Sequence, residues 1–364
     1  MAEETRKRKA DHIKICLEQK TQARRITTGF ENIHLIHKAL PEIDRAKIDL
    51  STTVFNHKFN APIIVGAMTG GTNEAMQINA TIAETVEKLG LGMGVGSQRA
   101  AIEDRELMKT FTVARKKAPT AFLIANIGGV QLVHGYGLKE VKKAIEMIDA
   151  DALAIHLNAL QEAVQPEGQT NFEGILVKIK EIVQELDKPV IVKETGAGIV
   201  AEEAHKLEKA GVKAIDIGGC GGTSFSAVEY YRALKNEERF QADAFWDWGI
   251  PTAISLIETV QTVKIPIIAS GGLRNGMDIA KALTLNANLC SLSQPVLETA
   301  IKDVKETETM LSCLIEELRN AMFLVGATDS ETLAKTPTVI TGKTAEWLTI
   351  RGFNIESYAK RGAL

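Results

Sequence analysis

Cysteine is scarce in this chain and scattered: Cys16, Cys220, Cys290 and Cys313 lie far apart. None has CxxC spacing, which speaks against a zinc site or a disulfide framework. No apolar run reaches membrane-spanning length, and the opening MAEETRKRKADH has no signal-peptide core. Together these absences lead us to expect a protein of the reducing cytoplasm with no membrane partner. A formal net charge of −3 gives no general pull toward nucleic acid. No GxGxxG follows the first expected strand, so a dinucleotide-binding open sheet is the weaker reading. There is no internal repeat beyond a strand/helix rhythm, no low-complexity segment and no linker.

What remains is an ordinary globular composition, 45% hydrophobic and 24% charged over 364 residues. The most informative stretch is IPIIASGGLRNGMDIAKAL at 265–283. A buried strand, a glycine pair and a helix start make a ready anion site, because backbone N–H groups face outward with no Cβ in the way. The stretch reads equally as a plain strand-to-helix turn. From residue 61 onward, short apolar segments at 62–66, 91–96, 121–126, 152–156, 190–193, 214–217, 266–269 and 289–292 read as eight strands. Helical runs are expected at 74–89, 105–117, 138–148, 172–186, 201–210, 226–235 with 252–263, and 277–285, and a long one at 296–325. Eight such units in series predict an α/β fold, a (β/α)8 TIM barrel with an N-terminal arm and a C-terminal helical extension. We divide it into an arm at 1–60 that packs on the barrel and closes over the site, the barrel at 61–296, and completing helices at 297–364.

In such a barrel the site lies at the C-terminal strand ends. Those ends carry Ala67-Met68-Thr69-Gly70-Gly71, Ser97-Gln98-Arg99, Asn126, His156 with Asn158, Gln161 and Glu162, Lys193-Glu194-Thr195-Gly196, Gly218 to Thr223, and Ser270-Gly271-Gly272. Each has a plain structural reading as well. Lys193 can be a snorkelling lysine or a cation placed for a phosphate, flavin or carbonyl partner. His156 can be a satisfied histidine or a general base. Glu162 can be a first-turn acid or a Mg²⁺ ligand beside substrate phosphates. Arg99 can pair with Glu103 or grip a diphosphate bidentately. Asn126 can cap a turn. Cys220 has no base marked beside it, so a nucleophilic role is not favoured. The basic run Arg6-Lys7-Arg8-Lys9 is a solvated terminus or an arm that folds over an anion. Recurring glycine turns with several anion-holding places suggest two phosphorylated species, a cofactor and a substrate.

Ten motifs in order then resemble one family: RKADH at 8–12, MTGG at 68–71, MGVGSQR at 93–99, IANIG at 124–128, HLNALQE at 156–162, QPEG at 165–168, VKETGAGI at 192–199, GGTS at 221–224, DWGIPT at 247–252 and SGGLRNG at 270–276. The chain resembles the FMN-dependent, type 2 isopentenyl-diphosphate isomerases over nearly its whole length. The resemblance implies reduced FMN at the barrel mouth, NADPH as reductant, Mg²⁺, and a redox-neutral proton shift between isopentenyl and dimethylallyl diphosphate. It implies FMN contacts from Ala67, Met68, Thr69, Ser97, Asn126, Lys193, Thr223, Gly272, Leu273 and Arg274, with Ser293 and Gln294 as the other half of a phosphate clamp. Substrate contacts are expected from Arg8, Lys9, Ser97, Gln98, Arg99, His156 and Gln161, a metal ligand from Glu162, and catalytic roles for His156, Gln161 and Lys193. A homo-oligomer, tetramer or octamer, goes with the family.

Departures are concentrated late in the chain. Asn286 stands where the family resemblance leads us to expect glycine. Cys290-Ser291-Leu292-Ser293-Gln294-Pro295 stands where a small glycine/alanine stretch is expected after strand 8, and Asp216-Ile217-Gly218-Gly219-Cys220 where a strand 6 ending with serine or threonine and no cysteine is expected. Two other readings remain, another FMN-dependent barrel oxidoreductase and a non-catalytic phospholigand-binding barrel. The hydroxyacid oxidases would show a histidine shortly before arginine after strand 7, and Arg274 has none.

Overall fold

The computed structural model describes residues 2–362, with side chains from Arg8 onward, so the Arg6 and Lys7 side chains of the basic run lie outside the described residues. Eight parallel strands close a ring in chain order: β1 Ile63–Val65, β2 Gly92–Gly94, β3 Phe122–Gly128, β4 Ala152–Leu157, β5 Val190–Glu194, β6 Ala214–Asp216, β7 Ile267–Ser270 and β8 Leu289–Leu292. The ring closes where β8 pairs with β1, Ser291 opposite Ile64. The (β/α)8 barrel read from the sequence is the fold observed, with each strand within a residue or two of its expected place.

Alternation along the strands builds two cores. In β3, Phe122 and Ile124 join an inner cluster with Ile64, Ala154, Ile191 and Ile268, while Leu123, Ala125 and Ile127 face the helices. Asn126 continues the inward series and ends it in a polar group at the mouth. Apolar below and polar above is the pattern expected of a barrel whose upper end holds ligand.

The arm is three pieces with separate tasks. Its first residues form a helix, Ala2–Glu18, that lies against the helices Arg99–Glu103 and Phe225–Arg232 at the mouth. Periodicity gave no warning of this helix, because few of its positions are apolar and docking rather than propensity holds it. Next, Ile33–Leu35 pairs antiparallel with Thr338–Ile340, tying the two ends of the chain together. Finally the hairpin of Thr52–Val54 and His57–Phe59 plugs the lower end of the barrel, since Val54 and Phe59 belong to its inner core. Phe55 and Asn56 at the hairpin tip both take positive φ, 54° and 61°, as the two-residue turn of a right-twisted hairpin requires. A phenylalanine pays for that backbone only with help, and Phe55 stacks on Phe122 at 5.8 Å between ring centroids.

Two helix expectations are corrected. The run 296–325 is two helices, Gln294–Ala300 and Val304–Val325. Asp303 splits them, its carboxylate accepting from Glu306 N at 2.8 Å as an N-cap. The run 226–235 stops at Arg232, and a second helix, Asn236–Ala244, follows. Asn286 takes φ 71°, the left-handed region in which glycine or asparagine is favoured. Its side chain also accepts from Arg361 Nη2 at 3.0 Å, so the asparagine has its own use here.

The plug gives a stability test. Phe59 is fully buried between His57 and Phe122, and Phe59→Ala should cost about 3–5 kcal/mol. Denaturant titration with an unchanged midpoint would show that the hairpin is not part of the barrel's cooperative unit.

Candidate active site

A cavity of about 290 Å³ opens at the C-terminal end of the barrel and is roofed by the inner face of Ala2–Glu18. Strand register builds its floor. His156 of β4 lies beside Lys193 of β5, and Lys193 beside Asp216 of β6, so three ionisable groups form one row. Asn126 Nδ2 donates to Val95 O at 3.1 Å, which turns its Oδ1 toward His156. His156 Nδ1 then donates to Asn126 Oδ1 at 2.8 Å, and the ring is also hydrogen-bonded to the Ile127 backbone. Burial, together with the charges of Lys193 and Lys9, drives the imidazole down to about 3, so it is neutral at physiological pH.

The remaining acids of the floor are also shaped by burial. Glu194 is pushed up to about 7 despite accepting from the backbone N–H groups of Thr195, Gly196 and Ala197. Asp216 is raised for the same reason and accepts from the Ser270 hydroxyl. Lys193 Nζ donates to Glu194 O at 2.7 Å, which fixes its ammonium at the rim of the floor.

One wall holds the carboxylate of Glu162. Asn158 Nδ2 donates to its Oε1 at 2.9 Å and Gln169 N to its Oε2 at 2.7 Å. Among the described residues there is no cluster of three or more His, Cys, Asp or Glu side chains with metal-binding geometry. A metal here would therefore lean on Glu162, substrate oxygens and water, a donor set that suits Mg²⁺. On the roof, Lys9 Nζ donates to Ser97 O at 2.8 Å. Burial and the neighbouring Arg8 lower Lys9 to about 7. Arg99 Nε donates to Glu103 Oε1 at 2.9 Å, and Arg99 also lines the cavity.

The opposite wall fits a flat phosphorylated group. The hydroxyls of Thr69 and Thr223 are buried with no hydrogen-bond partner, and both residues line the cavity. Buried polar atoms without partners are rare enough to imply that a ligand satisfies them. The loops after β6 and β7 meet backbone to backbone: a Cβ on Gly222 would lie 2.5 Å from Gly272 N, and one on Gly271 2.0 Å from Gly219 O. Among the described residues no protein acceptor faces the amides of Gly272, Leu273, Ser293 and Gln294. Those four can receive a phosphate.

Most of the residues singled out in the sequence meet here. Arg8, Lys9, Ala67, Met68, Thr69, Ser97, Arg99, Asn126, His156, Gln161, Glu162, Lys193, Thr223, Gly272, Leu273, Arg274, Ser293 and Gln294 all line the cavity. Gln98 does not, and its expected substrate contact is corrected. Its fully buried side chain donates to Ala144 O at 2.8 Å and accepts from Asn126 N at 2.9 Å, bracing the wall from behind. Arg274 lines the cavity, but its backbone N–H is committed to Asp278 Oδ2 at 2.9 Å and so is not free for phosphate. Gln294 lines the cavity, and its side-chain amide donates along its own helix to Glu298. Cys220 is buried, and burial lifts its thiol to about 11. The site also includes His12, Ile13, Cys16, Asp216, Phe225 and Leu297, which sequence reasoning missed. His12 and Cys16 follow Arg8 at intervals of four, a signal legible only once the segment is known to be helical.

This is the mouth of a flavin-binding (β/α)8 protein, and comparison with known proteins agrees. The chain matches the FMN-dependent dehydrogenase family over residues 1–125 and 149–340. It is similar in structure to a mandelate oxidase carrying a monooxide FMN adduct, with TM-score 0.61, 17% identity and coverage of 86% of this chain and 90% of that one. A second mandelate oxidase structure gives TM-score 0.60 at 16% identity, covering 93% and 98%. These likenesses carry the fold. Far closer in sequence is the isopentenyl-diphosphate delta-isomerase of Methanosarcina barkeri, 48% identical over 100% of this chain and 99% of the relative. That of Pyrococcus abyssi is 49% identical over 99% of each. The chain belongs to the isopentenyl-diphosphate delta-isomerase family, as its ten motifs indicated.

The orphaned hydroxyls provide a test. Thr69→Val and Thr223→Val should each weaken FMN binding by about five- to tenfold, the worth of one or so buried hydrogen bond. The melting temperature of the apoprotein should not fall, because an unpaired buried hydroxyl has been removed. Unaltered FMN affinity in both variants would mean that the hydroxyls serve another ligand.

Proposed function

We propose that this protein interconverts isopentenyl and dimethylallyl diphosphate by a proton shift, in isoprenoid synthesis. The observation that carries the reading is the composition of a single cavity. Arg8, Lys9 and Arg99 face it from the roof side, Glu162 stands on one wall, and unpartnered hydroxyls and amides stand on the other. That is a cationic anchor and a cation-holding acid for a diphosphate, opposite a cradle for a flat phosphorylated cofactor. FMN, when bound and reduced, supplies an electron-rich surface able to exchange a proton with a neighbouring alkene.

The rest of the chemistry belongs to the chain. An alkene offers no polar handle, so the diphosphate must fix the substrate, and Arg8, Lys9 and Arg99 hold it through charge-assisted bonds. Glu162, pinned by Asn158 and Gln169, would hold Mg²⁺, which would share the diphosphate charge. Neutral His156 stands at the floor without adding positive charge beside Lys193. Gln161 is linked to Asn158 and Gln165 at 3.3 Å and 3.5 Å and orients the substrate beside Glu162. Lys193, its ammonium fixed on Glu194 O, would favour an anionic form of the bound cofactor. Apolar Ile13, Cys16, Phe225 and Leu297 surround the hydrocarbon end and exclude water from a carbocation-like transition state. NADPH as reductant, a cytoplasmic setting and a tetrameric or octameric assembly complete the reading. No helix among the described residues is long and apolar enough to cross a membrane.

The direct experiment is to purify the protein, look for flavin absorbance, and assay isomerisation with reductant and Mg²⁺. A colourless protein that takes up no FMN and turns over no isopentenyl diphosphate would refute the proposal. Glu162→Gln should abolish most turnover while flavin still binds; undiminished activity at saturating Mg²⁺ would reject its metal role. Lys9 sets a pH dependence. Its ammonium is the binding form, populated below about 7 and lost above it in the free enzyme. Substrate affinity should therefore decline as pH rises through 7, and the KM profile of Lys9→Met should be weaker but flatter.

A further inference from the structure

The roof helix is held by a chain of charges that its sequence motif does not explain. Arg8 and His12 stand one turn apart on Ala2–Glu18. His12 Nε2 meets Glu229 Oε1 at 3.0 Å, and Arg8 Nη1 meets Glu167 Oε1 at 3.8 Å. The two acids come from different places, Glu229 from the helix Phe225–Arg232 and Glu167 from the loop after Ala159–Val164. Arg232 joins them, donating from Nε to Glu229 Oε2 at 2.6 Å and from Nη2 to Glu167 Oε2 at 2.7 Å. Each acid thus spends one oxygen on Arg232 and presents the other to the roof helix. Arg8 and His12 line the cavity, whereas Arg232, Glu229 and Glu167 are not among its lining residues.

We propose that Arg232 is a positioning residue that sets the roof helix over the cavity by clamping Glu229 and Glu167 into one acceptor for His12 and Arg8. The guanidinium suits this task, since its planar fork can serve two carboxylates at fixed spacing and a lysine cannot. The two ends of the clamp differ in strength. Glu229 is almost fully buried, and its contact with His12 is short, so that end is a pivot. Glu167 is half-exposed and its contact with Arg8 is long, so that end is weak. An incoming diphosphate can draw Arg8 away from Glu167 while His12 stays on Glu229. The helix is then already seated when substrate arrives, and binding costs the exchange of one weak ion pair rather than the ordering of a whole segment.

This inference rests on the diphosphate reading for its kinetic part only. Amide hydrogen exchange of peptides from 2–18 in the FMN-loaded enzyme reads the seating of the helix directly. In Arg232→Met that exchange should be about tenfold faster before substrate is added, and protection should return with isopentenyl diphosphate and Mg²⁺. The KM for isopentenyl diphosphate should rise by about tenfold with kcat within about twofold of the parent. Arg232→Lys should recover only part of the protection. Parent-like exchange across 2–18 in Arg232→Met would overturn the proposal. If that variant fails to fold, the milder Arg232→Lys replaces it: exchange across 2–18 should still be several-fold faster than in the parent, and parent-like exchange would again overturn the proposal. A parent enzyme that shows no isomerase activity would refute the function proposed above, while the exchange measurements would still decide the clamp.

Discussion

Closure of the strand ring is the constraint on which everything else rests. Because β8 pairs with β1, every barrel strand has hydrogen-bonded neighbours on both sides and no edge is left open. The fixed register then decides which side chains share a level. It places His156, Lys193 and Asp216 side by side without any loop having to adjust. Their rigidity comes from the apolar layers beneath, from Ile64 and Ile124 down to Phe59 in the plug. Polar groups can be concentrated at one end because the other end is sealed with hydrocarbon, and their altered protonation follows from the same exclusion of water.

Much of this was legible in the sequence because the barrel writes itself locally. Each strand is a short apolar run that stops at glycine or a polar residue, so Lys193 and His156 identify themselves by position. The helices that sequence reasoning drew too long, at 226–235 and 296–325, failed at boundaries set by single residues such as Asp303, where a cap competes with an otherwise continuous pattern. Gln98 was misread for a different reason. It stands within MGVGSQR between Ser97 and Arg99, both of which face the cavity, but a helix begins at Arg99 and the backbone turns Gln98 inward. Nothing in a linear motif reports that turn.

The roof is the part the sequence hid most completely. RKADH suggested anion binding, yet a polar segment of this kind has no periodic signature, and its partners Glu167, Glu229 and Arg232 are more than 150 residues away. Long-range ion pairs leave no trace in local patterning. The apolar residues on the roof, Ile13 and Cys16, became meaningful only when seen opposite Phe225 and Leu297. Site completion and fold formation are therefore separate problems in this chain, one solved by neighbouring residues and the other by distant ones.

The pairing of Ile33–Leu35 with Thr338–Ile340 has a consequence for synthesis. The arm that leads to the roof helix is made first, but the strand that fastens it is made almost last. During translation the barrel can begin to assemble while its plug, already emerged, waits below and its mouth stands open to solvent. The segment 33–35 can be fastened only after the ribosome has released the C-terminal strand. A chain lacking 338–340 would thus keep all eight barrel strands and leave 33–35 without its partner.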